Sequence, residues 1–318
     1  MAFEEDLGFD PSQPRDEDYT LSATGLVSKT FGLWTRKIVQ YIIIIGLVSV
    51  VTTLVSFVLL FTVFGTIGLL SPDPINYLFG VFVLPSTPDL TLIASTVVFG
   101  IITFVVNAIL SGAAIKFALD DYGGQTAEIG ISFSHSLGKT TRILTVQVIL
   151  SLIVSAVTGP SLALLTRGME GFDFSDPFNP IISPEAFQFL IMGSILFMVG
   201  GIFILYFIIR FAPALAIVVD TDLSAIDSLK KAWELTSGNF LHVLGGQILI
   251  GLVVILFSMI IGLPLGFVLF LNPYAVVFEV IFTALLFSAP SLIYIAVLYR
   301  DLMARSGPVG SDLPEYVL

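Results

Sequence analysis

The stretch Leu235–Phe278 contains no Asp, Glu, Lys or Arg. A water-soluble helix of that length would have to show polar side chains on at least one face, so this run constrains the fold more than any other feature. It is well over the ~20 apolar residues that one bilayer crossing needs. Pro264 lies inside it and Leu271-Asn272-Pro273 breaks it, so it reads as parts of two spans, kinked at Pro264. Similar runs recur along the chain. They predict an all-α integral membrane protein with six transmembrane helices, at about residues 38–70, 90–115, 143–166, 186–209, 240–271 and 274–299. Ser71-Pro72-Asp73-Pro74 stops the first, Lys116 ends the second, and Ser183-Pro184-Glu185 opens the fourth with a hydroxyl cap followed by Pro. The apolar residues between Pro213 and Val219 are too few for a further crossing.

The composition agrees with a bilayer. Charged residues make up only 12% of the chain, about half the share typical of soluble domains. There is no cysteine, so neither a disulfide framework nor thiolate chemistry is available. The net charge of -11 is concentrated at the start, where residues 1–20 carry seven acidic side chains against Arg15. That segment has no periodic apolar face and reads as a disordered acidic tail. It lacks the basic-then-apolar order of a signal peptide. The membrane domain is expected over residues 21–305, with a short tail at 306–318. An acidic chain of this kind excludes nucleic acid as a partner class.

Between the apolar runs lie amphipathic segments. In 224–237, Ser224 and Asp227 form a capping pair, and Gly238-Asn239 ends the helix. Ala225, Ile226, Leu229, Ala232 and Trp233 share one face, Asp227, Lys230, Lys231 and Glu234 the other, and Leu235 falls off the apolar side. Trp opposite paired Lys suits a helix lying in the headgroup region. Ser22 caps a second such helix, with Ala23, Leu26, Val27, Phe31 and Trp34 facing one way and Ser28, Lys29, Thr35 and Arg36 the other. A third and poorer copy follows Thr126, with Ile129, Phe133 and Leu137 as its apolar side and Ile131 out of phase. The cations Lys116, Arg210 and Arg300 close the even-numbered spans at nearly constant separation. The arrangement implied is three parallel helical-hairpin repeats, each preceded by an amphipathic interfacial helix. With both termini cytoplasmic, every Lys and Arg except Arg167 falls on the inner side. A multi-pass cell-membrane protein with that orientation is expected.

Two segments, RFAPALAIVVDTDLSAIDSLKKAWELTSGNF (210–240) and IAVLYRDLMARSG (295–307), resemble the membrane domain of glycerophosphoryl diester phosphodiesterases and its stand-alone prokaryotic relatives. The resemblance covers the C-terminal third and otherwise extends only to layout. In those enzymes catalysis belongs to a separate soluble barrel with metal-binding carboxylates and histidines. The resemblance therefore implies a membrane module and not a phosphodiesterase.

Catalytic clusters are hard to find. His135 and His242 stand alone without metal-ligand spacing, so no metal or cofactor is expected. Asp220-Thr221-Asp222 reads as a turn before a capped helix, and Asp173 and Asp176 as solvated loop acids. Gly262 and Gly266 match GxxxG, a weak sign of close helix approach. Glu279 is the one anion inside a predicted span, a feature that either marks a pathway or snorkels to the surface. The candidate functional residues are Glu279, Arg210, Lys230, Lys231 and Trp233. The function expected is a non-enzymatic module that organises membrane lipids or a partner, which could be another membrane protein or a second copy of the chain. The alternative is a small-molecule or lipid transporter using Glu279, Asn107, Gln147 and Gln247, with Pro264 in the span. An intramembrane lipid enzyme resting on Asp220 and Asp222 is the third reading.

Overall fold

The structure is a computed structural model that describes residues 19–46, 90–169, 172–173, 181–271 and 275–306. Its elements in chain order are α1 (Ala23–Arg36), α2 (Ile38–Tyr41) continuing as one π-helical turn (Ile42–Gly46), α3 (Leu90–Tyr122), α4 (Ile129–Met169), β1 (Phe172–Asp173), β2 (Ile181–Ile182), α5 (Pro184–Phe211), α6 (Ala214–Asp220), α7 (Ala225–Ser237), α8 (Phe240–Leu271) and α9 (Ala275–Arg305). Among the described residues, four stretches are long and apolar enough to cross a membrane: Gly100–Tyr122, Ile129–Met169, Pro184–Asp220 and Phe240–Pro264. Their flanks carry exposed large apolar side chains, among them Val98, Ile101, Met198, Ile202, Phe203 and Ile260. Water would penalise that surface and lipid does not. The protein is an all-α, multi-pass membrane protein. The rest of the expected first span, 47–70, lies outside the described residues, as does the loop after it.

The chain packs as two compact units, Met1–Thr140 with Gly245–Leu318, and Thr141–Leu244. In the first, α9 packs on α3, on α1 and on the π turn. Ile115, Phe117, Leu119, Ile293, Leu298 and Leu302 are fully buried there. Helix α1 starts on Ser22, whose hydroxyl accepts the Gly25 amide at 3.1 Å, and buries Leu26, Thr30 and Leu33 at successive turns. Thr30 joins this face because its hydroxyl donates to the Leu26 carbonyl at 2.8 Å and needs no other partner. Phe31 stacks on Phe257, 5.8 Å between ring centres. Helix α3 passes Lys116, the expected end of the second span, and runs on to Tyr122. Lys116 lies one turn before Asp120 and pairs with it at 2.6 Å, so the cation extends the helix instead of ending it. Gly124, at φ 72°, turns the chain out of α3.

The second unit contains a close antiparallel pairing of α5 with the part of α4 beyond Thr141. A Cβ on Gly193 would lie 2.8 Å from Leu165 Cγ, and one on Gly200 would lie 3.1 Å from Val157 Cγ1. Ala186, Gly193 and Gly200 recur every seven residues as buried positions on α5, so small side chains set how near the two backbones come. Ser183 caps α5 and Pro184 follows, as the sequence predicts. The hairpin is closed by β1 and β2, antiparallel with Phe172 opposite Ile182. Short α6 buries Ala214 and Ala216–Val219, and α7 packs on α5 and α6.

Two expectations about the amphipathic segments need correction. The middle copy is not a separate helix: it begins at Ile129 and continues unbroken into the third span, since nothing from Gly138 to Thr141 interrupts the ladder. Its buried side is Ser132 and Ser136, whereas Ile131, Phe133 and Leu137 are exposed. The Ser136 hydroxyl donates to the Ile109 carbonyl, so small serines rather than apolar residues bring this segment against α3. Thr126 is not the cap, because the first amide bond of the helix runs from Ser132 to the Glu128 carbonyl. In α7, Leu235 is buried and Ile226 is 58% exposed, the reverse of the expectation. Ser228 and Thr236 fill the buried face beside Ala225, Leu229 and Ala232, which rotates the helix away from the pattern its apolar residues mark.

One contact in the first unit makes a sharp test of this packing. A Cβ on Gly246 of α8 would collide with the Tyr294 hydroxyl and lie 3.2 Å from Leu26 Cδ1, whereas Gly251, one turn and a residue further, has open space. Gly246→Ala should lower stability by about 1–3 kcal/mol through overpacking. Gly251→Ala should be neutral or stabilising by up to about 1 kcal/mol. Thermal unfolding in detergent distinguishes the two, and equal effects would refute the packing.

Candidate functional site: charges and rings at the helix ends

In the second unit, Arg210 occupies the last turn of α5. Its Nε donates to the Tyr206 hydroxyl at 3.2 Å and its Nη1 to the Ser237 hydroxyl at 3.1 Å. The guanidinium lies over the rings of Trp233, Tyr206 and Phe240, at 4.8, 5.2 and 5.4 Å from their centres. The Thr236 hydroxyl donates to the Arg210 carbonyl at 3.1 Å, closing one of the orphan acceptors at the helix end. A planar, weakly hydrated cation suits this place, since it can stack on rings while keeping part of its fork free. Three elements meet there: the end of α5, the end of α7 and the start of α8. Arg210 and Trp233 are therefore brought together, and Tyr206 and Phe240 join them. The spacing of Tyr206 and Arg210, one helical turn, is the sequence signal for that pair.

Lys230 and Lys231 stay outside this cluster, on the exposed side of α7. Lys230 is 3.3 Å from Asp227 and Lys231 is 3.7 Å from Glu234, both exposed pairs worth little on their own. Ser224 accepts the Asp227 amide and donates to its carboxylate at 2.6 Å, as the capping pair predicts. That hydroxyl, and then Lys230, hold the Asp227 carboxyl below its ordinary range. The contribution of this cap is therefore complete above the usual carboxylate pKa and fades as the pH falls through the lowered value. The Asp220-Thr221-Asp222 turn is as expected: the Thr221 hydroxyl donates to the Ile217 carbonyl, and exposed Asp222 pairs with Arg142 at 3.2 Å. Glu279 falls in the first turns of α9, with its side chain outside the described residues. Asn107 is exposed on α3. Among the described residues no group of three His, Asp or Glu could hold a metal ion.

The first unit contains three acids that the sequence reading passed over. Asp301 is fully buried near the end of α9. Its carboxylate accepts the Leu21 amide at 2.6 Å and both oxygens accept from Arg305 Nε at 3.0 Å, while Arg305 Nη2 donates to the Leu21 carbonyl. A single residue, Leu21, is thus held by both its N–H and its C=O. At the other end of α1, Asp121 Oδ1 meets Arg36 Nη2 and Lys37 Nζ, each at 2.8 Å. Asp120 and Asp121 sit at the negative end of the α3 dipole, an unfavourable position that the neighbouring cations offset. The spacings Lys116–Asp120 and Asp301–Arg305 were the available signal.

Burial separates these ion pairs in energy. Asp301→Ala leaves Arg305 and the Leu21 amide without their acceptor and should destabilise the protein by about 3–5 kcal/mol. Asp222→Ala, which removes an exposed pair, should cost no more than about 1 kcal/mol. Chemical or thermal unfolding of both variants checks the ranking. Comparison with protein-family models, with curated proteins and with solved structures finds no match for this chain.

Proposed function

We propose that this protein is a non-enzymatic membrane module that organises lipid, or a protein partner, at the inner surface of the cell membrane through α1 and α7. The observation that carries the proposal is the outward side of α7. Ile226 is exposed there beside Lys230, which places an apolar side chain and a cation together on a helix joined directly to spanning segments. The ring cluster around Arg210 lies at the end of the same helix and supplies the amphipathic groups that favour a headgroup boundary. The reading includes six spans arranged as three parallel hairpins, with both termini facing the cytoplasm. It also retains the resemblance to the membrane domain of glycerophosphoryl diester phosphodiesterases, whose stand-alone relatives share this layout.

Photo-crosslinkers placed at Ile226 and Lys230 in native membranes test the proposal. Adducts with lipid mass, or with a second protein, are the expected result. Adducts confined to this chain's own buried neighbours would overturn it. Orientation has a separate test: a protease site inserted after Asp176 should be cut from outside intact cells and be protected from a cytosolic protease. Cutting from the cytosol inverts the topology.

A further inference from the structure

Among the described residues, the cations at the end of α1 outnumber the acid that holds them. Arg36 and Lys37 converge on a single oxygen, Asp121 Oδ1, so they lie within about one ion diameter of each other around one negative charge. Lys29, two turns earlier on α1, rests over the Tyr122 ring at 5.0 Å, next to Asp121 in sequence. Lys116 does not contribute, because Asp120 engages it. Among the described residues, Arg36 and Lys37 thus share one buried carboxylate, which leaves one positive charge in excess, and Lys29 stands over the neighbouring ring. Arg36 uses only Nη2 on Asp121, through its carboxylate and its backbone carbonyl. Its side chain is 57% exposed, which leaves the rest of the guanidinium fork directed outward.

The neighbourhood specifies what kind of anion fits. Immediately after Lys37 the chain begins the charge-free run from Ile38, and Val39 and Ile43 in its first turns are exposed. An anion on Arg36 and Lys37 therefore has exposed aliphatic surface one turn away on the same segment. Lys37 also lies 5.2 Å from the centre of the Phe117 ring. A free inorganic anion would use the charge and leave the aliphatic surface unused. A molecule with a phosphodiester joined to acyl chains uses both.

We propose that Arg36 and Lys37 seat the phosphodiester of an anionic phospholipid, with its acyl chains along Val39 and Ile43. The inference rests on the reading of the protein as a lipid-organising membrane module, and it adds a lipid class and a site in the first unit. The two cations differ in role. Lys37, the less exposed, neutralises Asp121, and Arg36 presents its unused donors as a planar fork to the phosphate.

The test is native mass spectrometry of the full chain in detergent, titrated with phosphatidylglycerol or phosphatidylcholine. Phosphatidylglycerol should bind at least tenfold tighter than phosphatidylcholine. Each surface cation contributes about fivefold to anionic lipid binding. Arg36→Gln should therefore weaken phosphatidylglycerol binding about fivefold, and the Arg36→Gln, Lys37→Gln pair about 25-fold, with phosphatidylcholine unchanged. Arg167→Gln removes one charge elsewhere and should change neither. An equal loss with Arg167→Gln would mean diffuse attraction to total charge and would overturn the site. Displacement of phosphatidylglycerol by millimolar inorganic phosphate would overturn the lipid assignment. If lipid adducts form at Ile226 and Lys230 while the titration shows no preference for phosphatidylglycerol, this inference alone falls, whereas adducts confined to the chain's own buried neighbours sink the broader reading.

Discussion

Inside hydrocarbon no water is available to an unpaired peptide group, and each one left open costs several kcal/mol. That constraint governs the rest of the structure. It forces the apolar runs into helices, and it favours polar side chains that bond a carbonyl of their own helix. Thr145, Thr158 and Thr166 each donate to the carbonyl four residues earlier. A hydroxyl bonded in this way asks nothing of a neighbouring helix and can sit beside lipid. On α5 the exposed side chains of Phe187, Ile191, Ile195, Met198 and Ile202 have no polar atom to satisfy.

Polar chemistry is consequently pushed to the helix ends, where carbonyls lack partners and charges can reach water. The arrangement there is economical in the same sense in both units. An arginine closes α5 by stacking on rings and bonding two hydroxyls. Carboxylates close α3 and α9 by taking cations from the last turns and from α1. Desolvating a carboxylate is costly, so Asp301 persists as a buried group only with a guanidinium and an amide directed at it.

Much of the fold was legible in the sequence. The bounds of α8 coincide with the expected fifth span, and the Ser183-Pro184 and Ser224-Asp227 start signals fall where helices begin. These features depend on local chemistry: a run without charge, a hydroxyl beside a free amide, a proline that tolerates only the first turn. The direction in which each amphipathic helix faces was not legible. Apolar residues mark a buried face only when the alternative is water. In a membrane protein the alternative is partly lipid, so Ile226, Phe133 and Leu137 can turn outward while Ser132, Ser136 and Ser228 pack inward. Small polar residues then mark the contact better than large apolar ones. The site was half legible for a related reason. Arg210 and Trp233 stand out as unusual residues, but Asp121 and Asp301 become significant only when sequence separations of 85 and 280 residues collapse to hydrogen-bond distance.

The clasp on Leu21 also differs in kind from a pair between two side chains. Asp301 and Arg305 lie one turn apart on α9 and together bind the N–H and the C=O of one residue, Leu21. Side chains recognising backbone groups do not depend on which residue supplies them, so the choice of Leu21 follows from the contacts along the rest of α1. A slip of one residue would carry Ser22 away from the position where it caps α1, and would move Leu26, Thr30 and Leu33 off the buried face. It would also withdraw Arg36 and Lys37 from Asp121 at the far end. The two buried carboxylates therefore act on the same degree of freedom, one at each end of α1, and hold the helix in a single register. Burial of Leu26 and Leu33 favours that face, and the charge-assisted bonds at both ends of α1 add directional contacts that only one position along it satisfies.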